Sequence, residues 1–157
     1  MFGVHADGWY AWLGVAAAGV AVLAVVLALP TAPPPDSAGA ADAVDGVAAA
    51  EYGAVAEYRL DAAREVRIGP RRIALRNDAG TTQATFAYGP VTPVRSGGPL
   101  RRVLEGTPPT AAFGSAAAVR RAAAAARTGG TEWRPVDGPL VARRVALEGR
   151  DVTLVGA

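Results

Sequence analysis

The chain has 157 residues with a formal net charge of +2, and 51% of its residues are hydrophobic. It contains no cysteine and one histidine, His5, which excludes disulfides and thiolate chemistry and removes most metal sites and histidine-dependent catalytic triads. The 16 basic residues are all arginines interspersed with 14 acids, which is typical of a mixed solvated surface rather than of a nucleic-acid-binding stripe.

An uncharged apolar run occupies residues 9–29. At about 1.5 Å per residue it is long enough to cross a hydrocarbon core of about 30 Å. Trp9, Tyr10 and Trp12 lie in its first turn, as is typical of a membrane interface. We predict a transmembrane helix that the mature protein retains. Cleavage of a signal peptide after Ala28 is the alternative, although the tail before the run lacks the basic residues of such a peptide.

Residues 30–39 are rich in proline, and the consecutive residues Pro33 to Pro35 favour extended polyproline II conformation. The segment is predicted to be a spacer between the transmembrane helix and a small domain of residues 40–157. No arginine flanks the apolar run, so the positive-inside rule only weakly determines the orientation of the helix in the membrane. The short tail of residues 1–8 and the acidic exit that begins at Asp36 favour a domain on the extracytoplasmic side.

Helices are predicted in three parts of the domain. Apolar residues recur at helical spacing over residues 37–52, where Asp36 or Ser37 is suited to be the N-cap. An alanine-rich helix is predicted from its cap Ser115 to Arg127, and a short helical turn over residues 100–104. Alanine has high helix propensity but little apolar area, so we expect the alanine-rich helix to pack shallowly.

Alternation of apolar and polar residues predicts four strands, at Val55–Leu60, Val66–Ile68, Arg71–Arg76 and Thr81–Tyr88. The turn residues Asn77 to Gly80 join the third and fourth strands into a hairpin. A second hairpin is predicted over residues 141–154 around the turn 148–151, and residues 89–99 are predicted to be a loop. The fold class is therefore α+β: an N-terminal transmembrane helix followed by a small domain of antiparallel strands with two or three helices.

We assign no catalytic, cofactor-binding or metal-ligating residue. The apolar run separates His5 from all three serines, so a serine–histidine triad is not expected. The carboxylate pairs Asp61/Glu65 and Glu148/Asp151 have a spacing that would suit acid–base work. They are interpreted as solvated surface, because arginines bracket the first pair and the second lies in a turn.

Arginine doublets are the strongest signal outside the apolar run. They would form an anion-binding or headgroup-binding face if the fold gathered them, but neighbouring residues on a strand point to opposite faces, so strand doublets must split. Scattered surface ion pairing is therefore the preferred interpretation. The four doublets are Arg71-Arg72, Arg101-Arg102, Arg120-Arg121 and Arg143-Arg144.

The large aromatic residues of the domain are predicted to pack in its core rather than to stack on bases. Phe86 and Tyr88 alternate with Ala87 and share a strand face with Ala84. Trp133 is the one tryptophan placed where core packing is natural.

The stretch RIGPRRIALRNDAGTTQATFAYGPVTPV at residues 67–94, with WYAWLG near the N-terminus and EWRP and RDVTLVG later, resembles an uncharacterised family of short membrane-anchored proteins from halophilic archaea. The resemblance covers nearly the whole chain, and its motifs carry no known chemistry. It implies a link to type IV pilus or secretion components. Two features depart from the pattern: Asp7-Gly8 stand where archaeal prepilins usually place a basic residue, and the domain is slightly basic rather than acidic.

The expected function is that of a membrane-anchored, non-catalytic structural or interaction protein of the cell envelope, accessory to a pilus or secretion assembly. The expected partners are the lipid bilayer, through residues 9–29, and other membrane proteins, with no nucleic acid and no cofactor. The alternative is an anion-binding or lipid-headgroup-binding module that uses the paired arginines. A membrane-tethered hydrolase would need a cluster of acids in a pocket.

Overall fold

A computed structural model describes residues 6–28, 32–147 and 150–157. The chain divides into two compact units, an N-terminal segment that ends at Thr31 and a domain of residues Ala32–Ala157. In the first unit, helix α1 (Ala6–Ala28) contains the predicted apolar run up to Ala28. Its stretch Trp9–Ala28 is long and apolar enough to cross a membrane, with a mean hydropathy of 2.4 and no buried residue. His5, Leu29 and Glu148, which the sequence analysis singled out, lie outside the described residues.

The domain begins with helix α2 (Ser37–Ala49). Of the two predicted candidates, Asp36 is its N-cap and accepts a 2.9 Å hydrogen bond from the amide of Gly39. The last residues of the predicted spacer, 37–39, are therefore helical. The helix ends three residues before Tyr52, because the chain turns at Ala50 to enter the first strand.

The proline-rich segment before α2 is bonded to the domain. The carbonyl of Pro33 accepts a 2.8 Å hydrogen bond from Nδ2 of Asn77, and that of Pro35 accepts a 2.7 Å bond from Oγ1 of Thr82. These bonds hold the prolines against the hairpin that contains Asn77 and Thr82. Residues 33–35 thus belong to the folded domain rather than to a free spacer.

Two four-stranded sheets make up the strand structure of the described residues. Sheet A has the order β1-β7-β8-β5, in which β5 is parallel to β8 and the other pairs are antiparallel. Sheet B has the order β4-β3-β2-β6 and is antiparallel throughout. The strands are β1 (Val55–Tyr58), β2 (Glu65–Ile68), β3 (Arg72–Asn77), β4 (Gly80–Thr85), β5 (Thr92–Pro93), β6 (Arg134–Pro135), β7 (Leu140–Leu147) and β8 (Arg150–Gly156).

Sheet A separates two hydrophobic cores. Leu140 and Ala142 of β7 face the first core, where α2 and sheet B also bury their apolar side chains. Val145 of β7 faces the second core, which three helices cover: α3 (Pro99–Leu104), α4 (Pro109–Phe113) and α5 (Ala116–Thr128). Both faces of β7 therefore carry buried apolar side chains, because each face has its own covering layer.

The α+β prediction is confirmed, and so are both predicted hairpins, β3–β4 and β7–β8. In the first turn, Oδ1 of Asn77 accepts a 2.8 Å bond from the amide of Ala79. The alanine-rich helix α5 also begins as predicted, because Oγ of Ser115 accepts a 3.3 Å bond from the amide of Ala118. The predicted short helical turn corresponds to α3.

Two local predictions are wrong. Residues 89–99 are not all loop, since Thr92 and Pro93 form β5 beside β8. Strand β4 ends at Thr85, so Tyr88 is exposed, whereas Phe86 is buried as predicted. The strand cannot continue because the carboxylate of Asp45 on α2 accepts the amides of both Ala87 and Tyr88, at 2.9 and 3.0 Å.

Candidate ligand-binding groove

A groove of about 530 Å³ lies between α5, the loop that joins β5 to α3, and the start of β6. We call it the α5 groove. Its size is within the range of small-molecule sites in proteins. Its apolar lining consists mainly of Ile68, Pro93, Leu100, Phe113, Ala122 and Ala126.

The groove follows from the composition of α5. Val119 and Ala123 of this helix are buried, and on the neighbouring face Ala122, Ala125 and Ala126 line the groove. The methyl side chain of alanine is too short to fill the space between the helix and the loop that joins β5 to α3. The shallow packing expected of an alanine-rich helix therefore leaves an open apolar channel.

Two arginines line the same groove. Arg95 donates a 2.8 Å hydrogen bond from Nη2 to the carbonyl of Gly130. Arg134, the first residue of β6, pairs with Val66 through its backbone. Its side chain lines the groove and makes no hydrogen bond or ion pair with any other residue that the structure describes, and the residue is half-buried. Glu132 is the one carboxylate among the lining residues of this groove.

Arg134 lies in an unfavourable environment for a cation. Burial lowers the pKa of its guanidinium, and the positive charges of Arg95 and Arg101 lower it further, against the opposing effect of Glu132. Arginine nevertheless stays protonated at neutral pH. The groove therefore holds positive charge that an anion would stabilise.

A second cavity, of about 510 Å³, lies over the exposed face of sheet B. Its lining includes Arg67, Arg71 and Arg72 together with the hydroxyl-bearing residues Thr85 and Thr131. It is richer in arginine than the α5 groove and more open to solvent. Of the four arginine doublets, Arg71-Arg72 is the one that lines this cavity.

Trp133 lies beside this surface, between two arginines. The guanidinium carbons of Arg67 and Arg76 are 4.6 and 4.5 Å from the centre of its ring. Arg76 is also paired with Glu65, at 2.5 Å from Nη2 to Oε2. Trp133 is half-buried in this stack, so it packs against cations rather than against an apolar core.

The doublet Arg143-Arg144 splits across sheet A, as predicted for a strand. Arg143 donates from Nε to the carbonyl of Leu104, at 2.7 Å. Arg144 donates from Nη1 to the carbonyls of Ala48 and Ala50 at the end of α2, at 2.6 and 2.5 Å. Both side chains serve internal contacts rather than a ligand face.

The other doublets are also spread over the domain. Arg101 is paired with Glu105 at 2.8 Å, and Arg102 donates to the carbonyl of Ala112 at 3.2 Å. Arg120 and Arg121 lie on the exposed face of α5. The fold therefore does not bring the four doublets to one face.

The predicted surface carboxylates are engaged by arginines. Asp61 is paired with Arg59 at 3.0 Å, and Asp151 with Arg144 at 2.5 Å. Across residues 6–28, 32–147 and 150–157, no group of three or more His, Cys, Asp or Glu side chains could hold a metal ion.

Sequence reasoning missed Arg95 and Arg134 because each is a single arginine outside the doublets. The signal that could have found them is indirect. A helix with few large apolar side chains leaves space beside it, and Arg134 follows such a helix, α5, closely in the chain. A charged residue near that space is therefore a candidate for lining it.

Comparison with known proteins agrees with the sequence resemblance on one point, that the chain is a member of an uncharacterised family. No curated protein and no solved structure matches the chain. A family of unknown function matches residues 3–145, which is most of the chain, and its description attaches no organism or assembly to it. The chain belongs to this family of unknown function, DUF7283.

Proposed function

We propose that this chain is a single-pass, membrane-anchored interaction protein of the cell envelope, without catalytic activity, whose domain lies on the extracytoplasmic side. One observation carries the proposal: every residue from Trp9 to Ala28 is exposed, although the stretch is uncharged and helical. So large an apolar surface is not stable in water, whereas a bilayer of about 30 Å matches the length of the helix.

The domain supports a binding role rather than a reaction. The two cavities described above are lined by arginines and apolar side chains, and the carboxylates of Asp61, Glu65 and Asp151 are occupied in ion pairs. An anchored domain of this kind is suited to hold a partner at the membrane. The sequence resemblance implies a more specific role, in which the partner is a component of a pilus or secretion assembly.

Fractionation of cells that express the full chain tests the anchor. We expect the protein to sediment with membranes, to resist alkaline carbonate and to be released by detergent. The double variant Val20→Arg, Leu23→Arg should weaken membrane insertion, because each arginine near the centre of a spanning helix costs about 2.5–3.5 kcal/mol. The matched control is Val55→Arg, a change at an exposed valine of the domain.

Recovery of the unchanged protein in the soluble fraction would overturn the anchor. Protease treatment of intact cells should digest the domain, and protection of the domain until lysis would place it on the other side. Mild solubilisation should retain membrane-protein partners, and a monodisperse monomer with no partner would count against the interaction role.

Anion binding is the second candidate function, and Arg134 is the observation that favours it. The doublets were the expected site, but Arg143 and Arg144 are bonded to backbone carbonyls. Arg134 instead lines a groove with Arg95, and its side chain has no hydrogen-bonded or paired partner within the described part of the chain. Titration of the detergent-solubilised chain with inorganic phosphate, compared with Arg134→Gln, tests this function.

A further inference from the structure

We propose that the α5 groove binds an amphiphilic anion, a small molecule with a carboxylate or phosphate group at one end and an alkyl chain at the other. This inference rests on anion binding, the second candidate function, and adds the site and the chemical class of the ligand.

The walls of the groove fit an alkyl chain. Leu100 and Phe113 line the groove together with the methyl groups of Ala122, Ala125 and Ala126 of α5. Removal of apolar surface from water stabilises a complex by roughly 25 cal/mol for each Å² that is buried. A groove of about 530 Å³ gives such a chain room to bury most of its length.

The charge of the groove fits a single anionic group. Arg95 and Arg134 supply two cations against one carboxylate, Glu132, and Arg101 adds positive charge nearby. The guanidinium of Arg134 retains its donors for a ligand, since no described residue takes them. Arginine can form two parallel hydrogen bonds to a carboxylate or a phosphate, which would orient the head of the ligand toward Arg134.

Other anions fit the groove less well. A nucleotide or sugar phosphate would need several polar groups for its base or sugar, whereas the side chains beyond the arginines are mainly apolar, and Ser96, Thr131 and Glu132 are the polar ones among the lining residues. A long polyanion would match the open basic surface around Arg71 and Arg72 rather than a groove between a helix and a loop. The combination of an apolar channel and cations therefore selects an amphiphile.

Photo-crosslinking of the full chain in nanodiscs of phosphatidylcholine tests the proposal. The probe is decanoate with a diazirine at the end of its chain, and the sites of labelling are mapped by mass spectrometry. We expect labels on peptides that contain Phe113 or residues 122–126. A matched decanol probe measures partition into the bilayer, and it should label the groove about tenfold less, since a hydrogen bond to a charged group is worth that factor or more.

Two variants localise the site. Arg134→Gln should reduce groove labelling by decanoate about tenfold, and Ala126→Phe should block it by filling the channel. Arg121→Gln, a change at an exposed arginine of the same helix, should leave labelling unchanged. Near-UV circular dichroism checks that each variant is folded. If Ala126→Phe misfolds, Ala122→Phe is used in its place.

The two sources of an amphiphilic anion are separated by competition. Unlabelled decanoate and lysophosphatidylglycerol are added in turn, and the stronger competitor shows whether a free fatty acid or a membrane phospholipid is the natural ligand. Equal groove labelling by decanol and decanoate would overturn the proposal. Binding of inorganic phosphate that decanoate does not displace would overturn the amphiphile but leave anion binding intact, and absence of both would overturn anion binding as well.

Discussion

The hydroxyl of Tyr58 donates a 2.7 Å hydrogen bond to Oδ2 of Asp36, while Oδ1 of the same carboxylate accepts the amide of Gly39. One side chain therefore caps α2 and ties it to the edge strand β1. A side chain at Gly39 would overlap both Asp36 and Tyr58, which explains a glycine in the first turn of this helix. The bonds from Gly39 and Tyr58 lower the pKa of Asp36, and the bond to Asp36 raises the pKa of Tyr58.

Tyr58→Phe should destabilise the domain at neutral pH and have less effect in acid. The folded-state pKa of Asp36 is lowered, so its contribution to stability is fully present above the unfolded pKa of about 3.9 and is lost as the pH falls through the folded pKa. Guanidinium unfolding of the full chain in micelles, followed by near-UV circular dichroism at pH 7 and pH 3, measures both effects.

Tyr52→Phe is the matched control for this change, because Tyr52 is 69% exposed. It should leave the unfolding midpoint unchanged at both values of pH. A loss of stability in Tyr58→Phe that is as large at pH 3 as at pH 7 would show that the hydroxyl does not act through the ionised carboxylate of Asp36.

Arg144→Met should lower the free energy of unfolding by about 2 kcal/mol. The variant keeps the apolar stem but leaves the carbonyls of Ala48 and Ala50 without their charged donor and removes the pair with Asp151. The same unfolding measurement checks the value, with exposed Arg121→Met as the control. Equal stability of the two variants would mean that solvent replaces the bonds of Arg144 without loss.

Gly156→Ala should lower the free energy of unfolding by about 1–3 kcal/mol through overpacking. A Cβ atom at this position would lie 2.9 Å from Cδ2 of Leu104 and 3.2 Å from the carbonyl oxygen of Val94. The carbonyl belongs to the backbone and cannot move without disturbing the second core. Gly138→Ala is the control, since its Cβ would meet no atom within 4 Å, and a similar loss in both variants would refute steric overlap as the cause.

Trp133→Ala should lower the free energy of unfolding by about 1–2 kcal/mol, because the indole ring contacts two guanidinium groups. Trp133→Phe should retain part of this stabilisation, since a phenyl ring attracts a cation less strongly. Tyr88→Ala, which removes an exposed aromatic ring, is expected to have no measurable effect. A null result for Trp133→Ala would indicate that both arginines find equivalent partners in solvent.

Much of the secondary structure could be predicted because its signals are local. The carboxylate of Asp36 and the hydroxyl of Ser115 bond to amides three residues away, so each cap can be identified from a few residues of sequence. The turn from Asn77 to Gly80 likewise contains its own hydrogen bond. Tyr88 was mispredicted because Asp45, which bonds to its amide, lies 43 residues away on another element.

The candidate site depends on longer-range packing. The sequence shows that α5 is rich in alanine, but only the fold shows that Phe113 and Leu100 line a groove together with this helix. Arg134 is one of 16 arginines in the sequence, and its position in that groove depends on the pairing of β6 with β2. Of the paired arginines, Arg102, Arg143 and Arg144 bond instead to backbone carbonyls.

The sequence by itself determined the apolar helix, the helix caps and the β3–β4 hairpin, because hydrophobic length, capping and turn chemistry act between residues that are close along the chain. Only the tertiary structure decided that β1 pairs with β7, that β5 runs parallel to β8, and that Arg95 and Arg134 share an apolar groove. These relationships depend on how distant elements cover one another's apolar faces, and a single sequence carries no local signal for that choice.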